Sequence, residues 1–173
     1  TLATEYDAIV IEDLAYFAMD FRKDLSIPFE APYQATVARY TDNYILLISG
    51  SKAFSYAGER IGVTCISDKL YHRHYYALSA RYEGLPFGPV FSTRMLYSLS
   101  SGTSHSAQYA MAAILKAASD GTYYFRKEIS AYGERAHKLK DIFCRHGFYI
   151  VYEKDLDEPI ADGFYFTICY PGM

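Results

Sequence analysis

The chain has 173 residues, of which 51% are hydrophobic and 21% are charged, with a formal net charge of -3. This length allows a substantial core, and the composition excludes a disordered chain. The charges are mixed along the sequence, which excludes the basic face of a nucleic-acid-binding protein, and no apolar stretch approaches membrane-spanning length.

Three apolar runs predict the strands of a sheet, at residues 8–11, 44–48 and 61–66. Runs without alternation are typical of strands buried on both faces of an α/β sheet. Only residues 49–60 join the second run to the third. This is the lower limit for a parallel crossover, which needs about a dozen or more residues and usually contains a helix. The third strand is therefore predicted to run antiparallel to the second, in a mixed sheet. The segment between the first two strands is predicted to be mostly loop, with a short helix around residues 34–40.

The rest of the chain is predicted to be mainly helical. Asp68 is expected to cap a helix over residues 69–82, and helical stretches follow through Met95 and Leu99 and over residues 108–118. The longest helical pattern covers residues 123–146, with an apolar stripe and a glycine placed for a left-handed cap. Two strands of a second, smaller sheet are predicted, with an acidic connector between them. They cover residues 148–153 and 163–170, and the connector covers residues 154–162.

The three cysteines are far apart in the sequence, at Cys65, Cys144 and Cys169. Their spacing predicts neither a disulfide framework nor a metal or redox pair. It indicates buried free thiols in a reducing cytoplasm. The five histidines show no metal-ligand spacing either, so no metal site is predicted.

Polar residues fall at or beside the carboxyl ends of the predicted strands, where open α/β sheets bind their ligands. Asp13 and Tyr16 follow the first strand in an Asp-x-x-Tyr pattern. Lys52 follows the second strand, between two serines and a later arginine. Each of these residues alone is more typical of a turn or a solvated surface. Together they suit a cofactor that carries an aldehyde and a phosphate, because an amine can bind the aldehyde while hydroxyls and a guanidinium bind the phosphate.

Residues 49–62 resemble the lysine signature of the class I/II aminotransferases, a family of fold-type I pyridoxal-phosphate-dependent enzymes. Gly50 and Tyr56 depart from the aliphatic residues usual at those two positions. The Asp-x-x-Tyr pattern at Asp13 and Tyr16 agrees with the family as well. The resemblance spans essentially the whole chain.

The resemblance implies a role for each residue of the two motifs. Lys52 would form the Schiff base with pyridoxal 5'-phosphate and act as the general base that moves the substrate proton. Asp13 would pair with the pyridine nitrogen, and Tyr16 would donate to the phenolic oxygen of the ring. Two hydroxyls and a guanidinium would hold the phosphate, those of Ser49, Ser51 and Arg60.

The resemblance also implies an α/β fold in two parts. Residues 1–122 would be the C-terminal part of a mixed-sheet PLP-binding large domain. Residues 123–173 would be the long linking helix and the start of a small α/β domain. The upstream cofactor-binding parts and the arginine for the substrate carboxylate would then lie outside this sequence, so it is expected to be a partial chain that is inactive alone. The complete protein would be a cytoplasmic homodimer, in which Thr103 and Ser104 either reach the partner's cofactor phosphate or cap the next helix.

The function that the resemblance implies is transfer of an amino group between an L-amino acid and a 2-oxo acid. Three alternatives share the motif residues: a β-eliminating lyase, an aminotransferase-like effector domain of a transcription regulator, and a catalytically silent fragment. A lyase would release ammonia and pyruvate, and a regulator would carry a basic winged helix upstream. The substrate is not identified, although the aromatic residues Tyr16, Phe17 and Phe21 favour an apolar or aromatic one.

Overall fold

The computed structural model contains a three-stranded mixed sheet with the strand order β1-β2-β3. Strand β1 (Val10–Leu14) runs parallel to β2 (Tyr44–Ser49), and β3 (Gly62–Ile66) returns antiparallel to β2. In this register Leu14 lies opposite Ile48 and the last residue of β2 lies opposite the first of β3. The mixed sheet and the antiparallel third strand are therefore confirmed. The carboxyl ends of β1 and β2 meet the start of β3 at one edge of the sheet.

The structure describes residues 1–22, 24–25, 27–159 and 164–172. Its helices are α1 (Leu2–Glu5), α2 (Gly50–Ala53), α3 (Asp68–Tyr71), α4 (Tyr76–Arg81), α5 (Phe87–Pro89), α6 (Leu96–Ser100), α7 (His105–Ser119) and α8 (Phe125–Arg145). Short 3-10 turns lie at Val37–Arg39 and Ala57–Glu59, and a π-helical segment, Val90–Met95, joins α5 to α6. The remaining strands are β4 (Tyr149–Ile150), β5 (Lys154–Asp155), β6 (Glu158–Pro159) and β7 (Ile168–Cys169).

The helix predicted over residues 69–82 is interrupted, and this prediction was wrong. Helices α3 and α4 are separated by residues 72–75, and the N-cap of α3 is Ser67, whose Oγ accepts the Leu70 amide at 3.1 Å. Within the break, the Arg73 guanidinium donates to the Asp7 carboxylate, and the Arg73 carbonyl accepts a hydrogen bond from the Phe87 amide. These long-range bonds hold the backbone outside a helix that local propensity favours.

Two strand boundaries also differ from the sequence prediction. Strand β1 starts later and continues through the polar residues, so Asp13 lies within the strand, opposite Leu47, rather than after it. The strands predicted over residues 148–153 and 163–170 are reduced to β4 and β7, which pair antiparallel. The connector contains an unpredicted hairpin of β5 and β6. Its residues 160–162, and the predicted strand start at Gly163, lie outside the described residues.

The long helix is confirmed as α8, and Gly147 follows it with a φ of +87° in the left-handed region. The chain forms two compact units. The first unit contains Thr1–Ala15, Ala35–Ser51 and Tyr56–Ala112, and the second contains Tyr16–Gln34, Lys52–Ser55 and Ala113–Met173. The apolar residues buried in the first unit include Ile45, Leu70, Val90, Ala107 and Met111. Those buried in the second include Ala18, Met19, Phe54, Phe125 and Ile129.

The cysteines do not match the prediction of buried thiols. All three are free, but Cys144 is exposed and the other two are half-buried. Burial raises the pKa of the Cys65 thiol. Within the described ranges, we find no helix with both the length and the apolar character needed to cross a membrane.

Arg126 is a charged residue inside the second unit, with only 7% of its surface exposed. Its Nη1 donates to the Ala18 carbonyl at 3.0 Å and its Nη2 to the Asp20 carbonyl at 2.6 Å. The centre of the guanidinium lies 4.9 Å from the centroid of the Phe21 ring. One side chain on α8 therefore fixes the segment that follows Tyr16.

We expect Gly62→Ala to lower the free energy of unfolding by roughly 1–3 kcal/mol, as overpacking does. An added Cβ would lie 2.8 Å from the Ile48 carbonyl oxygen, so the β2–β3 pairing would have to shift. Gly58→Ala is the matched control, because no heavy atom of the described residues, apart from its immediate chain neighbours, lies within 4 Å of its added Cβ. Urea denaturation of both variants measures the difference. An equal loss in the two variants would contradict this account of the pairing.

We expect Arg126→Ala to lower the free energy of unfolding by about 3 kcal/mol, because it removes two charge-assisted bonds and leaves buried carbonyls without them. Arg126→Lys should recover only part of this loss, since an ammonium lacks the planar fork of donors. Arg145→Ala is the control on the same helix. The Arg145 side chain is 73% exposed and pairs with the exposed Asp141 one turn earlier, so its removal should cost less than about 0.5 kcal/mol. Thermal or urea unfolding that ranks Arg145→Ala as the more damaging change would refute the assigned role.

Candidate active site

A cavity of about 390 Å³ opens in the first unit at the edge of the sheet where the three strand ends meet. Its polar lining residues include Asp13 of β1, Ser49 at the end of β2, Arg60 just before β3, and Thr103 in the loop after α6. Apolar residues of β2 and β3 complete the wall. Three of the six candidate site residues from the sequence therefore lie around one cavity.

Asp13 is held at this cavity by a local turn. Its Oδ1 accepts the amide hydrogen of Ala15 at 2.9 Å, a bond typical of an aspartate at the end of a strand. A carboxylate has two oxygens and room for several donors. The turn bond therefore orients the carboxylate and leaves it able to accept a proton-bearing group from a ligand in the cavity.

The two serines of the lysine motif take different positions. Ser49 lines the cavity, and its Oγ accepts the Ser51 amide hydrogen at 3.1 Å. The Ser49 hydroxyl hydrogen is not used by that bond and can still be donated to an anion. Ser51 is not among the residues that line the cavity.

Arg60 reaches the cavity from an unusual backbone conformation. It follows the 3-10 turn Ala57–Glu59 with φ 53° and ψ 49°, in the left-handed region. For a residue with a Cβ this conformation costs about 1–2 kcal/mol. Its Nη1 donates to the Ala57 carbonyl at 2.8 Å. Because a guanidinium has five N–H donors, an anion can be bound without breaking this bond.

Gly50 explains one departure from the family signature. Its amide donates to the Ile61 carbonyl at 3.0 Å, and an added Cβ would lie only 3.0 Å from the same oxygen. The chain that leaves β2 and the chain that enters β3 are therefore too close for a larger residue to fit without a shift. An aliphatic residue at position 50 would need a slightly wider turn.

Thr103 is the lining residue whose position the sequence did not determine. The sequence allowed two roles for Thr103, contact with the cofactor phosphate of the partner subunit or capping of the next helix. In the structure, Thr103 lines the cavity of its own chain. Its carbonyl accepts from Gln108 Nε2 at 2.8 Å. Ser104 is not a lining residue of this cavity. No local pattern could have revealed this, because the approach of Thr103 depends on how the chain returns to the sheet after α6.

Lys52 and Tyr16 belong to the second unit. Lys52 lies in α2, and the next two residues, Ala53 and Phe54, are buried. The Phe54 ring lies 5.0 Å from the ring of Phe125, between centroids. The backbone that carries the Lys52 amine is therefore anchored by the core of the second unit.

An aromatic ring of the second unit lies near each of these two residues. Lys52 Nζ lies 5.6 Å from the centroid of the Phe164 ring. The ring of Tyr16 meets that of Tyr165 edge to face, with 5.9 Å between centroids. Lys52 and Tyr16 thus contact aromatic residues of the second unit. Asp13, Ser49 and Arg60 form their hydrogen bonds within the first unit.

Residues 1–154 match the model of the family described as aminotransferase class I and II. An aspartate aminotransferase single mutant from Thermus thermophilus is similar over 87% of this chain and 32% of its own, with 19% identity and a TM-score of 0.53. An alanine aminotransferase from Pyrococcus furiosus is similar over 87% of this chain and 33% of its own, with 18% identity and a TM-score of 0.52. No curated protein is similar enough in sequence to match.

The two solved structures agree with this chain in fold, and the chain spans about a third of the length of each. The family match covers residues 1–154, which is most of the chain, and it includes both the Asp-x-x-Tyr segment and the lysine segment. This chain belongs to the class I and II aminotransferase family.

Proposed function

We propose that the complete protein is a pyridoxal-phosphate-dependent aminotransferase that moves an amino group between an L-amino acid and a 2-oxo acid. The observation that carries the proposal is the single cavity lined by Asp13, Ser49 and Arg60 in a chain of this family. A carboxylate and a guanidinium on one cavity suit a ligand that carries both a protonated nitrogen and a phosphate.

The donor set fits pyridoxal 5'-phosphate. The Ser49 hydroxyl and the Arg60 guanidinium are suited to the phosphate oxygens, and the Asp13 carboxylate is suited to the pyridine N–H. When bound, the cofactor supplies a ring that accepts electrons from the α-carbon of the substrate. The protein's part is to orient that ring and to keep its nitrogen protonated, which is the role we assign to Asp13.

The remaining roles follow the family resemblance. Lys52 Nζ would hold the cofactor covalently and, once displaced by the substrate amine, would take and return the proton at the substrate α-carbon. Tyr16 Oη would donate to the phenolic oxygen of the cofactor. Ser51 would add its hydroxyl to the phosphate site.

We further infer that the complete protein is a cytoplasmic homodimer and that a domain boundary falls near residues 122 and 123.

The two alternative functions, a β-eliminating lyase and a regulator, can be distinguished from an aminotransferase by their products. An aminotransferase requires a 2-oxo acid as acceptor, a lyase releases ammonia and pyruvate, and a regulator turns over neither. Product analysis of the complete protein therefore separates the three.

We expect borohydride reduction of the complete protein with pyridoxal 5'-phosphate to attach the cofactor to Lys52, because only an amine bonded to the aldehyde is trapped by reduction. Peptide mapping by mass spectrometry locates the label. Lys52→Ala should lose it, and Lys69→Ala, a control at another lysine, should retain it. A label on a different lysine, or none in the wild type, would overturn the proposed function.

We expect Asp13→Ala to lower kcat by at least about a hundredfold, because it removes an electrostatic group that acts as charge develops. Cofactor affinity should fall much less, since the phosphate ligands and the covalent anchor remain. Asp120→Ala is the control, because Asp120 is an exposed carboxylate that pairs with Lys116 one turn earlier. Steady-state kinetics and cofactor titration measure the two effects. Unchanged kcat in Asp13→Ala would contradict the assigned role.

A further inference from the structure

A row of aromatic rings in the second unit connects the surroundings of Lys52 to those of Tyr16. The Phe164 ring lies 4.8 Å from that of Tyr132 and 5.5 Å from that of Tyr165, between centroids. Tyr165 in turn meets Tyr16 at 5.9 Å. With Lys52 Nζ at 5.6 Å from the Phe164 centroid, this aromatic row begins beside the amine and ends beside the phenol of the same proposed site.

The row is not an ordinary piece of core. Tyr165 is 70% exposed and Tyr16 is 48% exposed, whereas Phe164 and Tyr132 are half-buried. Exposed aromatic rings gain from being covered by another apolar surface. An open aromatic surface that continues from a reactive amine is a surface on which the apolar part of a ligand can pack.

The position of Lys52 indicates that this apolar part is the side chain of the amino acid substrate. To move the proton at the substrate α-carbon, Nζ must approach that carbon to about hydrogen-bonding distance. Because Nζ lies 5.6 Å from the Phe164 centroid, an α-carbon about 3 Å from Nζ lies at most about 9 Å from that centroid. Aromatic rings pair at about 4.5–7 Å between centroids, so a substrate ring one methylene away from the α-carbon can reach the faces of Phe164 and Tyr165.

We infer that Phe164 and Tyr165 form the wall that receives the substrate side chain and that they select amino acids with an aromatic side chain. This inference rests on the proposed aminotransferase function. A short acidic side chain carries little apolar surface with which to cover these rings, so it gains less from this contact than an aromatic side chain does. Phe164 and Tyr165 thus determine specificity, while Lys52 performs the proton transfer.

The test compares amino donors in the complete protein loaded with pyridoxal 5'-phosphate. The wild type should use phenylalanine with a kcat/KM at least about tenfold above that for aspartate, in line with the discrimination that apolar pockets achieve. Tyr165→Ala should lower kcat/KM for phenylalanine about tenfold while that for alanine changes less than about threefold. Tyr165→Phe, which keeps the ring, should retain the preference.

Tyr152→Ala is the matched control, because Tyr152 is exposed to a similar degree, 66%, and belongs to the same unit. It should leave the ratio of the two donors unchanged. Since Tyr165 is mostly exposed, its replacement should not unfold the protein, and Phe164→Leu provides a second variant in the same comparison. A wild type that prefers aspartate, or variants that lower kcat/KM for phenylalanine and alanine equally, would overturn the inference.

The borohydride label separates this failure from failure of the proposed function. Absence of the label from Lys52 in the wild type would overturn the aminotransferase proposal itself. A label on Lys52 together with an unaltered donor ratio in Tyr165→Ala and Phe164→Leu would overturn only the specificity assigned to the aromatic wall. An equal fall in kcat/KM with every donor would also overturn the specificity assignment, because it would indicate that the rings only hold the Lys52 amine in place.

Discussion

The close approach of two backbone segments at the end of β2 is the constraint on which the candidate cavity depends. Ser49 pairs with Gly62, and the next residue along, Gly50, donates its amide to the Ile61 carbonyl. A Cβ at position 62 would lie 2.8 Å from the Ile48 carbonyl oxygen. Because glycine is present on each side, the chain can leave β2 and return as β3 without separating the strands. The hydroxyl before the turn and the guanidinium after it are thereby brought to the same cavity.

The parallel pairing of β1 with β2 places a negative charge, the Asp13 carboxylate, at the same cavity as the Arg60 guanidinium. Asp13 lies within β1 opposite Leu47, so its carboxylate reaches the edge at which β2 ends. Among the residues that the structure describes, no hydrogen bond or ion pair joins Asp13 to Arg60, and each side chain is instead held by a local bond. The carboxylate accepts from the Ala15 amide and the guanidinium donates to the Ala57 carbonyl. The cavity therefore keeps separate acidic and cationic groups, which a ligand with a basic nitrogen and a phosphate can satisfy at once.

The parts of this arrangement that depend on local length and spacing could be predicted from sequence. The short connector between the second and third apolar runs favoured an antiparallel return, since it is at the lower limit of length for a parallel crossover with its usual helix. The break at residues 72–75 could not be predicted, because the bond between Arg73 and Asp7 joins residues far apart in the chain. For the same reason Thr103 was ambiguous from its sequence context. Contacts that depend on tertiary structure override a local signal of helix or cap.

The lysine motif is continuous in sequence but is held by two different cores. Ser49 and Ser51 belong to the first unit, whereas Lys52 belongs to the second, where the buried Phe54 packs on Phe125. The residues proposed for the phosphate are thus positioned by strand pairing, and the residue proposed for the covalent bond is positioned by aromatic packing. A signature of consecutive residues therefore records two separate structural requirements. Sequence spacing alone fixes the order of the chemical groups, while the packing of each unit determines where the groups of that unit lie.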